Sequence, residues 1–265
     1  MTRNINPGRF PERRPASIDP AVVPATATVT QCGTRCSSCN LRELCLPCCG
    51  LTRTEIGLAD RLAFDRVRVR RGEHLYRSGD AFTCLYGVRN GFFKCSGLLE
   101  NGRDQVTGFS MAGEVLGMDG IGPEQHTCNA VALEDSDVCA IPFAELQELA
   151  QEIPGLQRHV HKTLSREIVR RHGVMLLLGC MNAEERLAMF LLNLSQRFAA
   201  RGCSASEFKL RMTREEIGSY LNLKLETVSR TFSKFQQEGL IDVQQKSVRI
   251  RSRAGLEQVM GRGQE

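Results

Sequence analysis

Six of the chain's twelve cysteines, Cys32, Cys36, Cys39, Cys45, Cys48 and Cys49, fall within eighteen consecutive residues that contain no histidine. Thiols this dense either ligate metal or pair as disulfides, and the redox compartment decides between the two. The first thirty residues are polar and carry proline and arginine, without the continuous apolar core of a signal peptide. No apolar run approaches the roughly 18 residues of a membrane span. The expectation is therefore a cytoplasmic protein with no membrane partner, whose thiols stay reduced and hold metal. Four thiolates satisfy zinc's tetrahedral preference, and they equally suit a [4Fe–4S] cluster. Spacing does not separate these two.

A second set of residues could read DNA. Thr213 and Glu216 have the spacing of a capping box, opening a helix that ends before Asn222-Leu223-Lys224. On the helix that follows, Val228, Phe232 and Phe235 form one face, while Glu226, Ser229, Arg230 and Ser233 share the other. Arginine can grip guanine O6 and N7, glutamate can accept from cytosine N4, and serine adapts to either. Glu226, Ser229 and Arg230 are the candidate base contacts, and Lys224 is a candidate phosphate contact. Leu240–Val243 and Val248–Arg251 flank Gln244–Ser247 as a hairpin wing. The net charge of +5 permits a nucleic-acid partner without requiring one.

The elements that must position these groups come in blocks. Residues 1–31 show no periodicity and are expected to be a disordered arm; residues 32–50 are the cysteine segment. Thr54 is expected to cap a short helix with Ile56, Leu58 and Leu62 on its apolar side. From Val67 to Phe143, short alternating strands are broken by glycine turns such as Ser78-Gly79-Asp80 and Arg89-Asn90-Gly91. That pattern predicts an antiparallel roll or sandwich, with residues 51–152 as the sensor domain. Pro154 opens a long helix over residues 153–181, the dimerisation helix. Residues 182–252 form the DNA-binding domain, entered through an Asn182/Glu185 capping box, and residues 253–265 are a C-terminal tail.

Along the long helix, Val160, Leu164, Ile168, Met175 and Leu178 recur at three- and four-residue steps, with Arg171 completing the series. A narrow stripe flanked by Arg158, Lys162, Arg166 and Arg170 suits a two-helix seam, although a helix packed on its own domain has the same period. The seam candidates are Leu164, Ile168, Arg171, Met175 and Leu178. A two-fold axis would set Arg171 against its own copy, making a homodimer that is marginal and therefore switchable.

Cys32-x3-Cys36-x2-Cys39 by itself is also the spacing of radical-SAM enzymes, but those need a βα-barrel where this chain has short strands. The longer set of matches resembles the oxygen-sensing FNR regulators of the CRP/FNR superfamily, over about residues 32–252. The matching motifs are Cys36-x2-Cys39-x5-Cys45, Gln105–Phe109, Ala132–Phe143 with Cys139, Asn182–Arg186, and Glu226–Arg230. The resemblance implies an α+β fold: an N-terminal cyclic-nucleotide-binding-like β-roll, a long dimerisation helix and a C-terminal winged helix-turn-helix. It implies a [4Fe–4S] cluster on Cys36, Cys39, Cys45 and Cys139, with Cys32 preceding the ligands. It further implies a homodimer on palindromic TTGAT-type sites in double-stranded DNA, contact with RNA polymerase as activator or repressor, and loss of the dimer when oxygen degrades the cluster. No catalytic residue is expected. Nucleotide-binding relatives follow a Gly-Glu-Leu with an arginine that clasps the cyclic phosphate. Here Gly113-Glu114-Val115 is followed by Gln125–Asn129 without it, so no cyclic nucleotide is expected. A zinc-stapled regulator without redox sensing is the alternative reading. Cys48, Cys49, Cys84, Cys95, Cys128, Cys180 and Cys203 receive no role.

Overall fold

In a computed structural model, residues 28–31, 39, 51–52, 55–56, 65–98 and 102–261 are described. Among these, one sheet runs β1 (Thr28–Gln31), β2 (Asp65–Val69), β9 (Ser136–Pro142), β4 (Cys84–Asn90) and β7 (Val115–Leu116), in that spatial order. The second runs β3 (His74–Tyr76), β8 (Asn129–Ala132), β5 (Phe92–Leu98) and β6 (Asp104–Met111). All their pairings are antiparallel. Inward residues from both sheets, among them Val67, Val69, Tyr76, Val88, Phe93, Ala130 and Val138, meet in one buried cluster, as a roll requires. At Gly91 φ is +99°, and a Cβ would overlap the Ser136 hydroxyl, so only glycine makes the tight β4–β5 turn.

After the roll come α1 (Phe143–Glu152), α2 (Pro154–Cys180) and α3 (Ala183–Ala199). Pro154 stands in the first turn of α2, where its missing N–H is harmless. The Asn182/Glu185 capping box opens α3 as the sequence predicts. The C-terminal unit adds α4 (Arg214–Leu221), α5 (Leu225–Gln237) and α6 (Arg253–Gly261). Its sheet is β10 (Glu207–Lys209), β12 (Ser247–Ile250) and β11 (Ile241–Gln244), in that spatial order. The α+β class and the order of roll, long helix and winged helix-turn-helix are thus the ones expected.

Four local expectations need correction or refinement. Thr28–Gln31, placed in the disordered arm, pairs with Asp65–Arg68 as an edge strand; the rest of that arm lies outside the described residues. In the described part of the short helix Thr52 acts as a cap: the Glu55 N–H donates to Thr52 Oγ1 at 3.3 Å, and Thr52 N–H donates back to the Glu55 carboxylate at 2.8 Å, while Thr54, Leu58 and Leu62 lie outside the described residues. The wing has a third strand, Glu207–Lys209. The C-terminal tail holds a helix, α6, because Leu256 and Val259 bury against the same core as α3. Short edge elements of this kind carry too few residues to show a period, so tertiary burial decides them.

Candidate functional site

Cys139 lies in the middle of β9, half-buried between two strands. Across the ladder it faces Arg66 of β2 on one side and Gly87 of β4 on the other. Burial pushes its thiol pKa up; Arg89, which hydrogen-bonds to it, and Arg66 act in the opposite direction. The Cys39 thiol is close enough to Cys139 for their charges to interact, although one hundred positions separate them in sequence. The Arg66 Nε is a buried donor with no hydrogen-bond partner among the described atoms. A thiol between two guanidiniums of this kind suits a metal group that stays anionic after ligation, since the positive charge stabilises the thiolate. Cys36 and Cys45 lie outside the described residues, and no cluster of three metal-ligating side chains occurs among the described ones. Arg66 and Arg89 were missed in the sequence because nothing local connects them to Cys139; strand register alone does so.

The remaining described cysteines have other surroundings. Cys84 and Cys95 are buried in the roll, and Cys180 and Cys203 are exposed. Cys128 donates to Asp119 Oδ2 at 3.5 Å. Hydrogen bonding with Cys95, followed by burial and the Asp119 charge, drives its pKa far above the usual thiol range. The roll interior here is packed with rings: His126 stacks on Tyr76 at 3.7 Å between centroids, and Phe82 meets His126 edge-on at 5.7 Å.

The reader is built locally. Thr213 and Glu216 form the predicted capping box on α4. Asn222 then takes a left-handed conformation (φ 53°), which asparagine tolerates, and turns the chain. Gly218 permits that turn, since a Cβ there would sit 2.6 Å from the Leu223 carbonyl oxygen. On α5, Val228, Phe232 and Phe235 are buried, each contributing roughly 1.5–3 kcal/mol of transfer free energy. Arg214 lies over the Phe232 ring at 3.2 Å. Glu226, Ser229, Arg230 and Ser233 are all exposed on the opposite face, over the first three turns of α5. Lys224 occupies the N-cap position without a side-chain cap bond, which leaves its ammonium exposed.

Along α2, Ile168 and Met175 are exposed at 56% and 70%, and Leu164 is half-buried. Val169 (65%) and Leu176 (64%), one position further on, extend the same apolar stripe. Their seven-residue spacing is the same as that of Ile168 and Met175. Leu178 instead packs toward the C-terminal core. Arg171 is not an unopposed charge: its Nε lies 2.7 Å from Glu167 of the same helix. The Arg171 charge therefore has a counter-charge on its own helix, which weakens the repulsion expected of it.

Comparison with known proteins agrees with this architecture. Residues 66–152 match the cyclic nucleotide-binding domain family, and residues 185–259 match the Crp-like helix-turn-helix domain family. The transcriptional regulatory protein btr of Bordetella pertussis is 48% identical over 85% of this chain and 93% of its own. The fumarate and nitrate reduction regulatory protein of Escherichia coli K12 is 40% identical over 87% and 92%. Among solved structures, FixK2 from Bradyrhizobium japonicum superposes with a TM-score of 0.69 at 29% identity, covering 75% of this chain and 98% of that one. No helix among the described residues is long and apolar enough to cross a membrane. With a roll, a long helix and a winged reader in this order, and relatives this similar over most of its length, the chain belongs to the CRP/FNR family of transcription regulators.

Proposed function

We propose that this protein is a cytoplasmic, anaerobic transcription regulator that senses oxygen through a [4Fe–4S] cluster held by Cys36, Cys39, Cys45 and Cys139. The observation that carries this reading is the electrostatic interaction of Cys39 with Cys139, whose thiol is hydrogen-bonded by Arg89 and whose strand neighbour is Arg66. When bound, such a cluster supplies oxygen lability. Cys139 tethers the cysteine segment to β9, and Arg66 and Arg89 favour the thiolate form needed for ligation. β9 leads through α1 into α2, so the tether bears on the helix whose apolar stripe pairs two copies.

In the paired state, Glu226, Ser229 and Arg230 of each copy enter successive major grooves of a two-fold TTGAT-type site. The bound dimer contacts RNA polymerase, activating some promoters and repressing others. A cyclic nucleotide is not the effector. The arginine that would clasp its phosphate is lacking, Glu114 is already held by Arg197 and Arg201, and Tyr76 stacks on the buried His126 ring in the roll interior.

The test is iron content and DNA binding of anaerobically purified protein before and after exposure to air. The expected outcome is iron-containing brown protein that binds a TTGAT palindrome and loses both properties in air. Stoichiometric zinc without iron, with binding indifferent to air, would establish the zinc-stapled alternative instead.

A further inference from the structure

The Glu114 carboxylate, in the turn between β6 and β7, is held by arginines of the helix that opens the DNA-binding half. Arg197 of α3 binds it through two bonds, Nε to Oε1 at 2.9 Å and Nη2 to Oε2 at 2.6 Å. Arg201, just past the end of α3, donates from Nη2 to Oε1 at 2.7 Å. Arg170 of the long helix stands 3.9 Å from Oε2. The Arg197, Arg201 and Glu114 side chains are only 16%, 11% and 22% exposed, so water screens the cluster weakly. Bidentate, charge-assisted pairs of this kind are directional as well as strong.

The same contact continues onto α4, next to the reading helix. Lys94 Nζ lies 3.0 Å from Glu216 Oε1. The Val106 N–H donates to Ser219 Oγ at 2.9 Å. The Phe109 and Tyr220 rings meet edge-on at 5.3 Å. The long helix hands over to α3 through Met181 and Asn182, both extended, and Arg186 of α3 bridges that joint by donating to the Leu178, Met181 and Leu221 carbonyls. Those bonds hold α3 and α4 to the end of the long helix, and the Glu114 contacts tie the same half to the roll.

We propose that Glu114 is a positioning residue for DNA reading: by gripping Arg197 and Arg201 it sets the direction in which the Glu226, Ser229 and Arg230 face points in each copy. The inference rests on the reading of the chain as a dimeric regulator of two-fold DNA sites. Once one reader is bound, the second half-site is engaged intramolecularly, and the advantage depends on how narrowly the second reader's orientation is held. A reader released from the roll keeps its base contacts and loses that advantage. The glutamate of the Gly113-Glu114-Val115 turn thereby serves the DNA-binding domain of its own chain.

Glu114→Gln tests this, since the amide oxygen can still accept from the Met111 N–H, now 3.3 Å from Oε2, while the charge is removed. Full-length, cluster-loaded protein would be prepared anaerobically and titrated with two duplexes, one carrying two TTGAT half-sites about one helical turn apart and one carrying a single half-site. The expected result is roughly ten-fold weaker binding of the two-site duplex with single-site binding within about two-fold of wild type. Iron content and sedimentation should match wild type. Lys94→Gln, which loosens the same surface from its other end, should shift binding in the same direction by a smaller factor, and it carries the comparison if Glu114→Gln does not fold. Unchanged two-site binding in both variants, tighter binding, or an equal loss on both duplexes overturns the positioning role. Wild-type protein that fails to prefer the two-site duplex overturns the dimeric reading itself, a result distinct from any variant effect.

Discussion

Two thiol sites in the same roll have opposite surroundings. At Cys139 burial and the Cys39 charge push the thiol pKa up, while the guanidiniums of Arg89 and Arg66 act in favour of the thiolate. Cys128 is hydrogen-bonded with Cys95 and faces the Asp119 carboxylate, so the charge around it favours the neutral thiol. Both sites involve two sulfurs and substantial burial, so burial does not distinguish them. The sign of the neighbouring charges does, because only the thiolate ligates metal or attacks as a nucleophile.

The widest separation between the two sites is expected from deleting the sulfurs. Cys139→Ala should remove all bound iron from anaerobically purified protein, whereas Cys95→Ala and Cys128→Ala should retain the wild-type complement. Iron retained in Cys139→Ala and lost in Cys95→Ala would invert the assignment. Next in size is Arg66→Gln, which leaves every sulfur in place but removes the guanidinium whose buried Nε has no hydrogen-bond partner among the described atoms. Iron should then be lost to a chelator at roughly ten times lower chelator concentration, the scale of a lost outer-sphere partner. Equal resistance would mean that strand register brings Arg66 to Cys139 without consequence.

Asp119 tests the neutral-thiol site. Burial works against its charge, yet His126, whose Nδ1 is 3.7 Å away, and the Thr127 N–H lower its pKa to about 2. A carboxyl whose folded pKa is depressed adds stability that is complete above its unfolded value and disappears as pH falls through the folded one. Asp119→Asn should therefore lower the unfolding free energy by about 2 kcal/mol at pH 7. The gap between the two proteins should close between pH 4 and pH 2, as followed by denaturant titration. A gap independent of pH would assign the loss to packing. The smallest effect is expected from Arg171→Ala. Because Glu167 already balances that charge, dimer dissociation in air should change by less than about two-fold. A large gain in association by sedimentation would restore like-charge repulsion as the main term.

Much of the reader was legible because its determinants are local. The Thr213/Glu216 box, the Asn222 turn and the alternation of Val228, Phe232 and Phe235 with Glu226, Ser229 and Arg230 all lie within a few helical turns. Helical period reports such arrangements directly. The long helix was equally clear in extent, but its exposed stripe was drawn too narrowly. Val169 and Leu176 belong to it, and Leu178 turns toward the neighbouring core.

What the sequence by itself determined, then, is everything set by near neighbours: the strand-rich roll with its glycine turns, the start of the long helix at Pro154, and the polar face of α5. The tertiary structure alone decided what lies beside Cys139 and Glu114. Strand pairing sets Arg66 opposite Cys139, and the packing of α3 on the roll delivers Arg197 and Arg201 to Glu114. These contacts join residues dozens of positions apart, where no period or spacing carries a signal. A charge can be read from a sequence, but the partner that gives it a function is chosen by the fold.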